Sequence, residues 1–179
     1  AVAVGNVQLG VLDSQRLAQE FAKLTPEFRG LLLSLDKRLK QLNERAVEFR
    51  MGKFQTPEFM QSKKPVTTQG AAEDKLYVVT EGGASIVRHE EYGRIPLVQL
   101  FKGDYFGHMP FLDLGHEPEH ASVMATKELK VRKVDMPKLR DEYNQLSTTF
   151  KNFVDNVATS VAVSTKVICN YQKKYSTGS

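Results

Sequence analysis

Residues 75–107 read KLYVVTEGGASIVRHEEYGRIPLVQLFKGDYFG. Three short apolar-rich runs lie within them: Lys75–Val79, Gly83–Arg88 and Ile95–Leu100. Gly82-Gly83 and Glu91-Tyr92-Gly93 separate these runs and supply the residue types that tight turns need. Asp104-Tyr105-Phe106 makes a fourth run. Working outward, Pro65–Thr68 precedes, and Ala121–Ala125 and Leu129–Val134 follow. Many short strands at regular spacing predict an antiparallel barrel or sandwich. The stretch from Phe49 to Pro65 reads as irregular, broken by Gly52, Pro57 and Pro65.

Downstream the period changes. Leu129–Val134 alternates apolar with polar, which predicts a half-buried strand. Asp135 and Pro137 then open a short helix carrying Leu139, Glu142 and Tyr143. Ser147 is placed to cap a second, longer helix. The same unit occurs earlier, at the offset of 122 that separates Asp13 from Asp135. At that offset Leu17 meets Leu139, Glu20 meets Glu142, Leu24 meets Leu146, Thr25 meets Ser147 and Phe28 meets Phe150. Upstream, Val7 and Leu9 meet Leu129 and Val131. A shared strand, cap and helix pair argues for a repeat rather than for two similar amphipathic helices.

Both long helices carry a seam of one register. Phe28, Leu32, Leu35, Leu39, Leu42, Ala46 and Phe49 step as Phe150, Val154, Val157, Val161, Ser164, Ile168 and Tyr171 do. Alternating steps of four and three give the 3.5-residue period of a two-helix interface. The competing reading is a helix face packed on its own domain. The seams predict that residues 25–49 pair with residues 147–171, as an internal pseudo-dimer or as a homodimer.

Composition narrows the classes. Hydrophobic residues at 41% support a packed core. The formal charge of +4 comes from interspersed Lys, Arg, Asp and Glu, without the dense basic stripe of a nucleic-acid binder. The Lys37, Arg38, Lys40 and Arg45 group shares its helix with Asp36, Glu44 and Glu48, and reads as a solvated face. The single Cys169 excludes an intrachain disulfide and suits a reducing, cytoplasmic setting. No run reaches the roughly 20 apolar residues of a membrane span. The lack of an initial Met, together with the repeat, suggests a piece of a longer chain.

Two turns and their order carry a resemblance. Gly70–Gly82 resembles the hairpin of cyclic-nucleotide-binding domains: Gly, four residues, a basic residue, Leu-Tyr, then a closing Gly. Leu100–Gly107 is similar to that family's turn into its phosphate-binding cassette, and Glu117–Val123 resembles the cassette's end. The resemblance spans roughly residues 49–172. It implies an α+β fold: an antiparallel double-stranded β-roll, jelly-roll-like, followed by short and long C-terminal helices. It also implies two parts. Residues 1–50 would be the terminal strand and helices of a truncated preceding copy, and residues 51–179 a complete domain.

In that family a short helix offers N–H groups to the cyclic phosphate. A Glu after the Gly bonds the ribose, and an Arg pairs with the phosphate. Here Gly107 is kept, His108 stands at the Glu position, and Glu119 stands at the Arg position before His120-Ala121. The implied ligand site is Gly107, His108, Met109, Pro118, Glu119, His120, Ala121 and Ser122. Met109–Leu114 is expected to form the cassette helix, with Phe106, Phe111 and Leu112 buried. A carboxylate facing a phosphate repels it, so the cassette is altered and no cofactor is expected. His116 and His120 have a metal-site spacing, but Pro118 between them favours a loop, and no metal is expected.

No catalytic nucleophile or Gly-rich phosphate loop appears, so no enzyme is expected. The long helix leaves no room after about Tyr171 for a DNA-binding module. The expectation is a non-catalytic sensory module that couples an altered pocket, for an unknown small anionic or nucleotide ligand, to long-helix pairing. The alternative is a ligand-free structural dimerisation domain. Neither nucleic acid nor membrane is expected as a partner.

Overall fold

The computed structural model describes residues 2, 5–6, 11–54, 65–69, 75–109, 121–125 and 128–177. Two helices open the chain, α1 (Ser14–Lys23) and α2 (Pro26–Arg50). Seven strands follow among the described residues: β1 (Pro65–Thr67), β2 (Leu76–Glu81), β3 (Ala84–Glu90), β4 (Gly93–Leu100), β5 (Tyr105–Gly107), β6 (Ser122–Ala125) and β7 (Lys130–Lys133). Helices α3 (Met136–Gln145) and α4 (Thr148–Thr177) close the order.

The strands form two antiparallel sheets, β1-β6-β3-β4 and β5-β2-β7. The β3–β4 hairpin turns at Glu91-Tyr92, with Glu90 opposite Gly93. The quoted runs therefore fold as strands and hairpins, in an α+β architecture. One expectation needs correction. Leu129–Val134 is not a half-buried strand: all four residues of β7 are exposed. The strand lies at the edge of its sheet, and its Lys and Arg side chains suit an edge facing solvent. Only the flanking Val134 is buried. The Val7–Leu9 strand of the repeat, Gly70 of the first turn, and Phe111 and Leu112 lie outside the described residues; Phe106 is buried.

The two halves cap their helices alike. Asp13 accepts from the Arg16 N–H at 2.9 Å, and Asp135 from the Lys138 N–H at 3.3 Å. Thr25 accepts from Phe28 N–H, and Ser147 from Phe150 N–H, both at 3.2 Å. Each side-chain oxygen satisfies a donor that the first helical turn leaves open.

α2 and α4 pack against each other within the chain. Every seam position on both helices is buried or half-buried. Two apolar clusters run through this contact. One joins Leu24, Phe28 and Leu35 to Leu146, Phe150 and Val154, with Leu76 and Tyr105 of the roll. The other joins Leu42 and Phe49 to Ile168 and Cys169, with Val79, Ile95 and Phe106. Helix and sheet residues thus contribute to both clusters.

Candidate functional site

The site is built around β5. Its last residue, Gly107, has φ +113°, and a Cβ there would stand 2.2 Å from the Lys75 carbonyl oxygen. Only glycine fits both the backbone angle and the approach to β2. Gly107→Ala is expected to destabilise by at least about 1–3 kcal/mol, read as a drop in the urea midpoint without a change in slope. The next N–H, of His108, donates to that same Lys75 carbonyl at 3.0 Å.

The candidate site residues separate onto two sheets. Gly107 ends β5, with half-buried His108 and Met109 after it, and Met109 packs on the first cluster. Ser122 begins β6 in the other sheet, with Ala121 against the second cluster. Ser122 is 2 % exposed, and its hydroxyl accepts from the Gln69 N–H at 3.0 Å. It is therefore engaged in holding the backbone after β1. Pro118, Glu119 and His120 lie outside the described residues, as does His116. Among the described residues no group of three His, Cys, Asp or Glu side chains converges as a metal site. A cleft of about 320 Å³ lies instead at the helix starts, lined by Thr25, Pro26, Glu27, Asp135, Lys138 and Leu139. Two carboxylates in that lining disfavour a phosphate.

Helix α2 grips the strand that enters the cassette. The Ser34 hydroxyl accepts from the buried Tyr105 N–H at 2.9 Å. Arg38 donates to the Tyr105 carbonyl at 2.5 Å. Lys37 pairs at 2.7 Å with Asp104, whose carboxylate also accepts from the Phe101 N–H at 2.8 Å. Gln41 bonds both the N–H and the carbonyl of Gln99, at 2.9 and 3.0 Å. Gly30 lets the helix approach, because a Cβ there would sit 3.1 Å from the Tyr105 hydroxyl.

This overturns the reading of Arg38 as part of a solvated face; the Lys37 side chain stays 44 % exposed while it pairs with Asp104. Burial pulls the Arg38 guanidinium down to about 10, with Asp104 opposing. Its Nε has no hydrogen-bond partner among the described residues. Charge alternation along α2 concealed this, because a docked cation and a solvated one look alike in sequence. The buried, uncharged Ser34 one turn before Arg38 was the available signal.

A second arrangement joins the halves. The Thr25 N–H and hydroxyl donate to the two oxygens of Glu142, each at 2.6 Å. The Ser147 N–H and hydroxyl donate to those of Glu20, at 2.6 and 2.7 Å. Each short helix thus supplies the carboxylate that a capping box draws from its own helix. Burial works to raise the Glu20 pKa, but the Ser147 N–H and hydroxyl, helped by Arg16 and Lys23, bring it below its ordinary 4.5. A carboxylate lowered on folding stabilises above its unfolded pKa, and that stability goes as the pH falls through the folded value. Glu20→Gln should therefore lower stability at neutral pH by about 1–2 kcal/mol and flatten the acid limb of the urea-midpoint profile.

The chain's one cysteine is not placed for covalent chemistry. The Cys169 thiol is buried and pushed up to about 11, mainly by that burial. A thiol so placed is inert as a nucleophile.

Two antiparallel sheets packed with helices, with Gly107 ending the edge strand β5, define a β-roll domain. Residues 58–145 match the family model described as the cyclic nucleotide-binding domain. The chain contains a domain of the cyclic-nucleotide-binding family. It is similar to the cAMP-dependent protein kinase type II regulatory subunit of Drosophila melanogaster, 36% identical over 61 residues, which is 34% of this chain and 16% of that protein. The chain thus spans about a sixth of that relative's length. Among solved structures, an EAL enzyme with cAMP and cyclic-di-GMP bound is 21% identical at a TM-score of 0.48, covering 54% of this chain and 25% of that one. The heme domain of CooA from Rhodospirillum rubrum is 18% identical at a TM-score of 0.41, covering 61% and 76%. No helix among the described residues is long and apolar enough to cross a membrane.

Proposed function

We propose that this chain is a non-catalytic sensory module whose altered cassette is coupled to the pairing of its long helices. The observation that carries the reading is the grip of α2 on β5. Ser34 and Arg38 hold both backbone groups of Tyr105, two residues before Gly107. Movement of the cassette entry therefore loads α2, and α2 in turn packs on α4. The match to the cyclic-nucleotide-binding family supports a regulatory rather than an enzymatic role, in a reducing cytoplasm that suits the free Cys169 thiol. Glu119 and His108 make the ligand something other than an ordinary cyclic nucleotide, of small anionic or nucleotide class.

Residues 1–50 are, in this proposal, the end of a preceding copy, and residues 51–179 are the whole second domain. The two carboxylate clasps support this, because each pairs the same repeat positions in reciprocal fashion. Helix pairing is then internal to one chain. A Cys pair at Leu35 and Val157, in a Cys169→Ser background, should oxidise to an intrachain link on a non-reducing gel. An interchain link would place the pairing between two chains. No link there, or at Leu32–Val154 and Leu39–Val161, would reject the pairing.

The test of sensing is a thermal-shift panel of cyclic mononucleotides and cyclic dinucleotides, followed by the oxidation rate of the same Cys pair. A compound that raises the melting temperature and changes that rate supports coupling. A panel without any shift favours the ligand-free dimerisation domain, for which the retained helix seams are sufficient.

A further inference from the structure

The two long helices are used unequally. Besides its seam, α2 turns a second stripe toward the roll: Leu31, Ser34, Arg38 and Gln41, with Arg45 one turn on. At the repeat offset the same stripe on α4 is Phe153, Asn156, Ser160, Val163 and Val167. Leu31 is 1 % exposed, whereas Phe153 is 54 %, Val163 57 % and Val167 37 %. No charged residue occurs at these five positions of α4, although three of them present apolar side chains to solvent. Isolated exposed apolar residues are ordinary, but a continuous uncharged stripe marks a contact surface.

The clasps say what fits there. Glu142 on Thr25 and Glu20 on Ser147 relate the halves by a pseudo-two-fold axis. In an isologous pairing, equivalent surfaces meet equivalent partners. The α2 stripe meets a β-roll at its β4–β5 edge, so the α4 stripe is set to meet the same edge of another roll. A second copy of this chain offers no such edge, because its own α2 covers it.

We infer that the α4 stripe is the docking surface for a second β-roll of the same type, carried on the same polypeptide ahead of residue 1. The inference rests on the reading of residues 1–50 as the end of a preceding copy. Asn156, at the place of Ser34, can accept from the incoming strand. Thr159 stands at the place of Lys37, so the incoming turn needs no buried acid like Asp104. Val163 and Val167 replace Gln41 and Arg45, which makes this contact the more apolar of the two.

The experiment compares the 179-residue chain with the same chain extended upstream as its coding sequence runs. Hydroxyl-radical labelling of Phe153 should fall several-fold in the extended protein, and Val163→Glu should lower its melting temperature while leaving the shorter chain's unchanged. An upstream roll with Phe153 labelled equally in both proteins overturns the docking surface and leaves the repeat standing. An upstream sequence without a roll overturns both. A dimer of the shorter chain that protects Phe153 and dissociates in Val163→Glu would assign the stripe to a second copy instead, and would also overturn the inference.

Discussion

Phe28→Ala should lower the unfolding free energy by about 3–5 kcal/mol, the range for emptying a buried aromatic site. Phe28 is fully buried, at the point where α2, α4 and the roll meet. Its neighbours belong to three different elements, so no single side-chain shift refills the space. Leu35→Asp should be worse. Leu35 is 2 % exposed in the same cluster, so a carboxylate there would be set among apolar side chains. A buried unpaired charge costs several kcal/mol even after relaxation. That is a large part of the roughly 5–15 kcal/mol that a domain possesses, so the variant is expected to be largely unfolded. Circular dichroism with urea unfolding reads both. A loss below about 1 kcal/mol for Phe28→Ala would mean that the helix pair separates freely in solution.

The second large effect concerns the ligand. Cyclic AMP and cyclic GMP should bind no tighter than roughly millimolar, about −4 kcal/mol. The expectation rests on the proposed reading that Glu119 stands where the family's cassette has an Arg; the His108 N–H is bonded to the Lys75 carbonyl. Glu119→Arg combined with His108→Glu should improve affinity by at least about tenfold, or 1.4 kcal/mol, if the backbone cradle persists. Isothermal calorimetry measures both proteins. Micromolar binding to the unaltered chain would remove the argument from charge. No gain in the double variant would mean that side chains already fill the space.

The sequence was most legible where period and punctuation agree. The Gly82 and Gly93 turns bounded the hairpins, and the seams located α2 and α4 because burial there follows one face. Thr25, Ser147, Asp13 and Asp135 announced their caps by residue type. What sequence could not convey was which second face a helix uses. Lys37 and Arg38 look like any basic pair on a helix until Asp104 and Tyr105 are brought up by a fold more than sixty positions away. β7 misled for the opposite reason: alternation implies a sheet with one buried face, and an edge strand need not have one. At Gly107 the structure adds a constraint that the sequence does not display: a Cβ there would stand 2.2 Å from the Lys75 carbonyl oxygen.

The helix pair also sets an order of events at synthesis. α2 leaves the ribosome well before α4, its partner along the whole seam, because the strands of the roll lie between them in the chain. Until then Leu32, Leu35 and Leu42 have no cover on the seam side, and the roll that α2 holds is only partly made. Contacts between chain positions so far apart form late and slowly. The nascent chain therefore passes through an interval in which the seam of α2 is exposed, and any delay in translating the thirty residues of α4 prolongs it. A weakened clasp at Glu142 would lengthen that interval as well as lower stability, and would be felt as chaperone dependence.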